Sequence, residues 1–308
     1  MAEAATARVA TVAAAPGFGA ERAAVDAALE AMGGRYLAAI SPTAVADAVH
    51  YALTGGGKRL RAMLVLSAYR AAGGTGDATL LAAAVEVVHA YSLVHDDLPC
   101  MDDDAMRRGR PTVHVVYGVP AATAAGLAMV PLAAQSAADA CASLGLDDGE
   151  ARRVVSRLMC AAGGGGMIGG QLLDLEGEGR DLDLADLERI HRLKTGALIT
   201  ASAVLGALAA RADARVVDAF DRYGRAIGLA FQIADDVLDV TATTDQLGKT
   251  AGKDLVARKS TYPAVLGVAG AVKRASALVD QACAALADVG LLTPELEHLA
   301  RFIVARRS

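Results

Sequence analysis

Three aspartates stand inside a stretch that otherwise reads as the apolar side of a helix. In Phe231-Gln232-Ile233-Ala234-Asp235-Asp236-Val237-Leu238-Asp239, Asp235 and Asp239 are four residues apart and share one helix face, with Gln232 one turn before. Like charges at that spacing repel and weaken an isolated helix, so something cationic must offset them. Decoration of a solvated helix end suits these residues poorly, because their neighbours are Phe231, Ile233, Val237 and Leu238.

A second acidic cluster lies about 140 residues earlier: His95-Asp96-Asp97-Leu98-Pro99-Cys100-Met101-Asp102-Asp103-Asp104, followed by Arg107-Arg108-Gly109. It closes an apolar helix running from Leu81 to Val94. Asp103 and Asp104, which follow Pro99, fit a solvated helix end. Neither cluster has the alternating oxygen ligands and central glycine of an EF-hand loop, so calcium in that form is excluded. A few carboxylates, several waters and substrate phosphate oxygens around a hard cation describe magnesium.

The rest of the chain predicts helix. Apolar residues make up 54% of the 308 positions, Ala and Leu are prominent, aromatics reach only 4% and Trp is absent, a palette rich in helix formers and poor in strand formers. From about Ala20 onward, helix-period segments are separated by Gly- or Pro-bearing breaks, among them Thr54 to Gly57, Gly73-Gly74, Gly109 to Pro111, Gly163 to Gly166 and Gly248 to Gly252. No strict apolar/polar alternation persists long enough to propose a sheet. Residues 1–18, with Pro16-Gly17, read as a flexible arm, and residues 19–308 as one all-α domain.

The net charge of −5 argues against a nucleic-acid binder, which would show a basic face. Cys100, Cys141, Cys160 and Cys283 lie far apart, with no C-x-x-C pair, and read as buried thiols in a reducing cytoplasm rather than a disulfide or zinc framework. The longest uncharged stretch, Pro111 to Ala138, carries three prolines, Gln135 and Ser136, and most of its apolar residues are Ala. It reads as a buried core helix rather than a membrane span. The N-terminus, with Glu3 before Arg8 and no Leu-rich core, does not read as a signal peptide.

Asp96-Asp97 to Asp102 is a DDxxxxD pattern and Asp235-Asp236 to Asp239 a DDxxD pattern. Gly56-Gly57-Lys58-Arg59-Leu60-Arg61, Gly169-Gly170-Gln171, Lys194-Thr195-Gly196, Leu247-Gly248-Lys249 and Lys259-Ser260-Thr261-Tyr262-Pro263 accompany them in order. With these seven stretches in register, the chain resembles the trans-isoprenyl diphosphate synthase (polyprenyl synthetase) family, nearest in pattern to its bacterial farnesyl and plant-type geranylgeranyl members.

The resemblance implies an isoprenoid synthase fold, antiparallel helices around a deep central cavity, and a homodimer. It implies condensation of isopentenyl diphosphate with an allylic diphosphate. By the same resemblance, Asp96, Asp102 and Asp235 hold three magnesium ions with the allylic diphosphate, and Asp97, Asp236 and Asp239 act as ligands or as their supports. Arg107, Lys194, Lys249 and Lys259 complete the clamp on the departing diphosphate. Thr195 and Gln232 present oxygens toward the carbocation. Lys58, Arg61, His89 and Arg108 match the metal-free site for isopentenyl diphosphate, and the glycines before Lys58 let backbone approach phosphate closely. His95, His114 and His191 receive no catalytic part.

Three positions depart from the family pattern: Leu127 after Gly126, Val119 after Gly118, and Ala62 after Arg61. None removes a metal ligand; the first two bear on subunit packing. A terpene cyclase would keep one Asp-rich motif and a non-catalytic regulatory subunit would lose one, whereas this chain retains both. Ser92 and Tyr91, four and five residues before Asp96 on one helix, fall ~6–8 Å below the first ligand at the helical rise. Bulky Tyr91 beside small Ser92 resembles the farnesyl members and implies a fifteen-carbon stop, with a geranylgeranyl product as the alternative.

Overall fold

The computed structural model describes residues 18–39, 43–241 and 260–305. Helix dominates them, as the composition predicts. The most buried element is α10 (Ala197–Ala209), a helix apolar on every side and therefore covered on every side. It lies against α3 (Leu60–Ala71), α7 (Asp148–Ala162) and α11 (Ala214–Thr241). Its two polar side chains, Thr200 and Ser202, donate to the carbonyls of Gly196 and Leu198 at 2.7 Å, so their burial leaves nothing unsatisfied.

The second half of the core is α4 (Thr79–Asp96), packed between α1 (Gly19–Tyr36), α3 and α6 (Val119–Ser143). The short helices α2 (Thr43–Leu53) and α5 (Val113–Tyr117) lie against α6. Helices α8 (Met167–Gly177) and α9 (Leu184–His191) lead into α10, while α12 (Tyr262–Ala287) runs along α11 and carries α13 (Pro294–Ala305). The isoprenoid synthase fold expected from the sequence is the fold observed.

Of the four cysteines expected to be buried, Cys141 and Cys283 are, whereas Cys100, in the turn after α4, and Cys160, on the outer face of α7, are exposed. Three further details depart from or refine the expectations. Among the described residues α6 alone is long and apolar enough to cross a bilayer, yet it packs lengthwise on α4 and buries Met129, Leu132 and Ala133, as a core helix does. Phe18, assigned to the arm, is buried and its carbonyl accepts the Arg22 amide at 3.0 Å, so it belongs to the start of α1. One hairpin was not foreseen: Met106–Arg107 (β1) pairs antiparallel with Arg110–Pro111 (β2). Its turn residues Arg108 and Gly109 have φ of +53° and +74°, the left-handed pair of a tight hairpin turn. Strands of two residues are too short to show alternation.

Candidate active site

The first wall forms where α4 stops. Asp96 is its last residue, and the chain folds back so that the Asp102 amide donates to the Asp96 carbonyl at 2.8 Å. That contact brings the two ends of the DDxxxxD pattern together. The Asp96 carboxyl is pushed up to about 6 by burial, with Lys194 opposing the rise, Asp102 adding to it and Arg107 again opposing. Asp97 is buried and held from the other side: Arg107 Nε lies 2.7 and 2.9 Å from its two oxygens, and Arg107 Nη2 2.6 Å from Oδ1. Asp104 sits 3.6 Å from the same guanidinium.

The second wall is α11. Asp235 and Asp239 are half-buried, and Asp239 Oδ2 is buried with no hydrogen-bond partner. Asp236 is placed differently. Its Oδ1 accepts from Gln232 Nε2 at 3.2 Å, and its Oδ2 accepts from His191 Nε2 at 3.1 Å and from the Tyr262 amide at 3.0 Å. Three donors occupy that carboxylate. Because the Gln232 amide nitrogen faces Asp236, its Oε1 faces Thr195, whose hydroxyl donates to it at 2.8 Å.

Lys194 and Thr195 belong to a wide helical turn, Arg192–Gly196, with π-type hydrogen bonding between α9 and α10, a deviation found often at functional sites. Gly170 on α8 lies directly against it: a Cβ there would stand 2.1 Å from the Lys194 backbone nitrogen. Lys194 Nζ reaches Asp174 Oδ2 at 2.7 Å. Its charge also acts on Asp96, at the end of α4.

The basic residues gather beside α4. Gly56, Gly57 and Arg59 all take positive φ, +72°, +146° and +51°, and Lys58 sits within that turn. Arg108 reaches down from the hairpin, donating Nη1 to the Gly56 carbonyl. Its Nη2 is 3.4 Å from His89 Nε2, so that ring nitrogen is the acceptor and Nδ1 carries the proton. Burial first, then the charges of Arg61, Arg108, Arg107 and Arg59, hold His89 well below its ordinary range and therefore neutral. A solvent-open cleft is lined by Arg59, Glu86, His89, Arg107 and Arg108 among others. Lys249 and Lys259 lie outside the described residues.

Below Asp96, Tyr91 is buried and its hydroxyl donates to the Ala162 carbonyl at the end of α7, 3.1 Å away. Burial, then the Asp96 charge, pushes the phenol up to about 12. The ring meets His95 edge-on at 5.7 Å. His95 in turn donates Nε2 to the Thr123 carbonyl at 3.2 Å and rests on Gly126, where a Cβ would stand 2.0 Å from that nitrogen. Ser92 is half-buried with its hydroxyl on the His89 carbonyl at 2.8 Å. Sequence reasoning gave no part to His95 or His191 and did not find Asp174, Glu86 or Ala162. Glu86, a lone acid within the apolar run Leu81 to Val94, was the one signal available.

A helical bundle that carries one aspartate cluster at the end of α4 and another on α11 fits the architecture of the isoprenoid synthases. The chain belongs to the polyprenyl synthetase family, whose model matches residues 42–289. It is similar to the farnesyl diphosphate synthase of Escherichia coli, 47% identical over 269 residues that cover 86% of this chain and 90% of that one. It is also similar to the geranylgeranyl diphosphate synthase of Cyanophora paradoxa, 41% identical over 270 residues, 87% and 89% of the two chains. Among solved structures it resembles the geranyltransferase of Helicobacter pylori complexed with magnesium and isoprenyl diphosphate, with a TM-score of 0.75 and 28% identity over 93% of this chain and 97% of that one. The chain is a trans-prenyl diphosphate synthase, an enzyme of the prenyltransferase class.

Proposed function

We propose that this prenyltransferase joins isopentenyl diphosphate to dimethylallyl and then geranyl diphosphate, releases diphosphate at each step, and stops mainly at farnesyl diphosphate. The observation that carries the product length is Tyr91, buried on α4 one residue beyond Ser92 from Asp96 and pinned to Ala162. A clamped ring there closes the path of a growing prenyl tail. The matched relatives are named for both fifteen- and twenty-carbon products, so support for the shorter product comes from this residue rather than from the likeness.

Magnesium suits the residues present. Among the described residues no three His, Cys, Asp or Glu side chains lie close enough to hold an ion by themselves. The donors available are carboxylates, one with a buried oxygen lacking a partner and one raised by desolvation. That inventory fits a hard cation completed by water and diphosphate oxygens, and the Helicobacter neighbour is complexed with magnesium. Asp96, Asp102, Asp235 and Asp239 would hold it, three ions being the expected number, and Asp97 and Asp236 would support the walls. Bound there, magnesium would supply Lewis-acid polarisation of the leaving oxygens.

In the reaction, the allylic C1–O bond breaks and its electron pair leaves on the diphosphate, which Lys194 and Arg107 orient. Thr195 and Gln232 present oxygens to the resulting allylic cation; Asp236 holds the Gln232 nitrogen, which keeps its Oε1 beside the Thr195 hydroxyl. The double bond of isopentenyl diphosphate attacks C1. The new cation then loses a proton to the departed diphosphate, so no side-chain base is required. Lys58, Arg61, His89 and Arg108 hold the second diphosphate, with Lys249 and Lys259 assigned to the first from the motifs alone. Exposed Val115, Val116, Val119 and Leu127 on α5 and α6 offer an apolar face for a second copy, in line with a homodimer. The test is incubation with isopentenyl and dimethylallyl diphosphates, with magnesium and with chelator. Prenyl products should form only with the metal, and none in either case overturns the proposal.

A further inference from the structure

The residue that begins α3 is the wrong kind for its place. Arg59 stands at the N-cap, where an oxygen-bearing side chain normally accepts the amide two or three residues on. A guanidinium has no acceptor, and no side chain caps this helix locally. The acceptor comes from elsewhere. Glu86, in mid-α4, takes the Ala62 amide on Oε1 at 3.1 Å, which is the third amide of α3. Its Oε2 lies 3.4 Å from Arg59 Nη1. Arg59 also donates Nε to Asp26 on α1 at 2.7 Å and Nη2 to the Leu53 carbonyl at 3.1 Å.

Glu86 and Arg59 are only 3% and 6% exposed. A buried ion pair is weak as a source of stability, since desolvation offsets its attraction. What this one does is geometric. Arg59 occupies a left-handed φ that bulky residues avoid, and its guanidinium is fixed on three elements at once: α1, the end of α2 and α4. Lys58 precedes it, and Arg61 lies between it and the amide that Glu86 caps. The carbonyls of Leu53, Thr54 and Gly56 are each taken by an arginine, Arg59, Arg110 and Arg108 respectively. The turn is thereby locked from behind.

We propose that Glu86 and Arg59 are positioning residues for the metal-free diphosphate site: they hold the turn that aims Lys58 and Arg61 at isopentenyl diphosphate. This rests on the assignment of Lys58 and Arg61 to that substrate under Proposed function. Glu86→Gln keeps an oxygen for the Ala62 amide but removes the charge that orients Arg59.

With saturating allylic substrate and magnesium, Glu86→Gln should raise KM for isopentenyl diphosphate about five- to tenfold while kcat and the allylic KM stay within about twofold. Arg59→Lys, which keeps charge but not the planar fork, should do the same, and it stands in if Glu86→Gln does not fold. Lys58→Ala is the control for the site itself. If Lys58→Ala raises that KM and neither Glu86→Gln nor Arg59→Lys does, the positioning role is wrong and the site assignment stands. If Lys58→Ala leaves it unchanged, the site assignment fails and this inference with it. A melting temperature that falls with all kinetic constants unchanged would also overturn the role, leaving Glu86 a helix cap only.

Discussion

Asp236 accepts the backbone amide of Tyr262 at 3.0 Å, tying α11 to the first residue of α12. The neighbouring Asp235 is half-buried on the face that it shares with Asp239. Adjacent carboxylates are therefore placed differently. Asp236→Ala strands the His191, Gln232 and Tyr262 donors and should cost about 2–4 kcal/mol of stability as well as activity. Asp235→Ala leaves those three donors satisfied, so the metal-free protein should melt closer to the wild-type temperature than Asp236→Ala does, while turnover falls by orders of magnitude. Paired melts and single-turnover assays check the contrast. Similar melting temperatures for the two variants would refute it.

Asp96 gives a pH signature. Its carboxyl is raised from 3.8 to about 6 in the folded chain, so the folded state favours the protonated form. That preference stabilises fully below pH ~4 and is lost as pH rises through ~6; above it the ionised group is a net penalty, about 3 kcal/mol at most. In chelator, Asp96→Asn should raise the melting temperature at pH 7.5 and roughly half as much at pH 5. A gain independent of pH would mean that Asp96 is not the titrating group.

Gly126 is the seat of His95. A methyl group there would stand 2.0 Å from His95 Nε2, and His95 is held by both the Thr123 carbonyl and the edge of Tyr91. Gly126→Ala should cost about 1–3 kcal/mol through overpacking. Gly126→Ala with His95→Ala should recover most of it, because the colliding ring is gone. Thermal denaturation of both variants measures this.

How much of this was legible in the sequence follows from the range of each interaction. Asp235 and Asp239 could be placed on one face because four residues is one helical turn, and the glycine and proline breaks mark helix ends for the same local reason. The Asp96 to Asp102 contact was implied only by resemblance, since a loop that folds back has no period. Tyr91 to Ala162 spans 71 residues and Gln232 to Thr195 spans 37. Pairings at such separation leave no pattern in a single chain. Glu86 was visible as an acid in an apolar run, but its two partners lie on another helix.

Elongation by this chain should stop where Tyr91 closes the path of the prenyl tail. The most direct measurement is chromatography of the dephosphorylated alcohols made from isopentenyl and dimethylallyl diphosphates by wild type and by Tyr91→Ala. Wild type should give mainly the fifteen-carbon alcohol. Tyr91→Ala, which removes the ring pinned to Ala162, should give mainly twenty carbons or longer. Identical product distributions from the two proteins would show that Tyr91 does not set the product length.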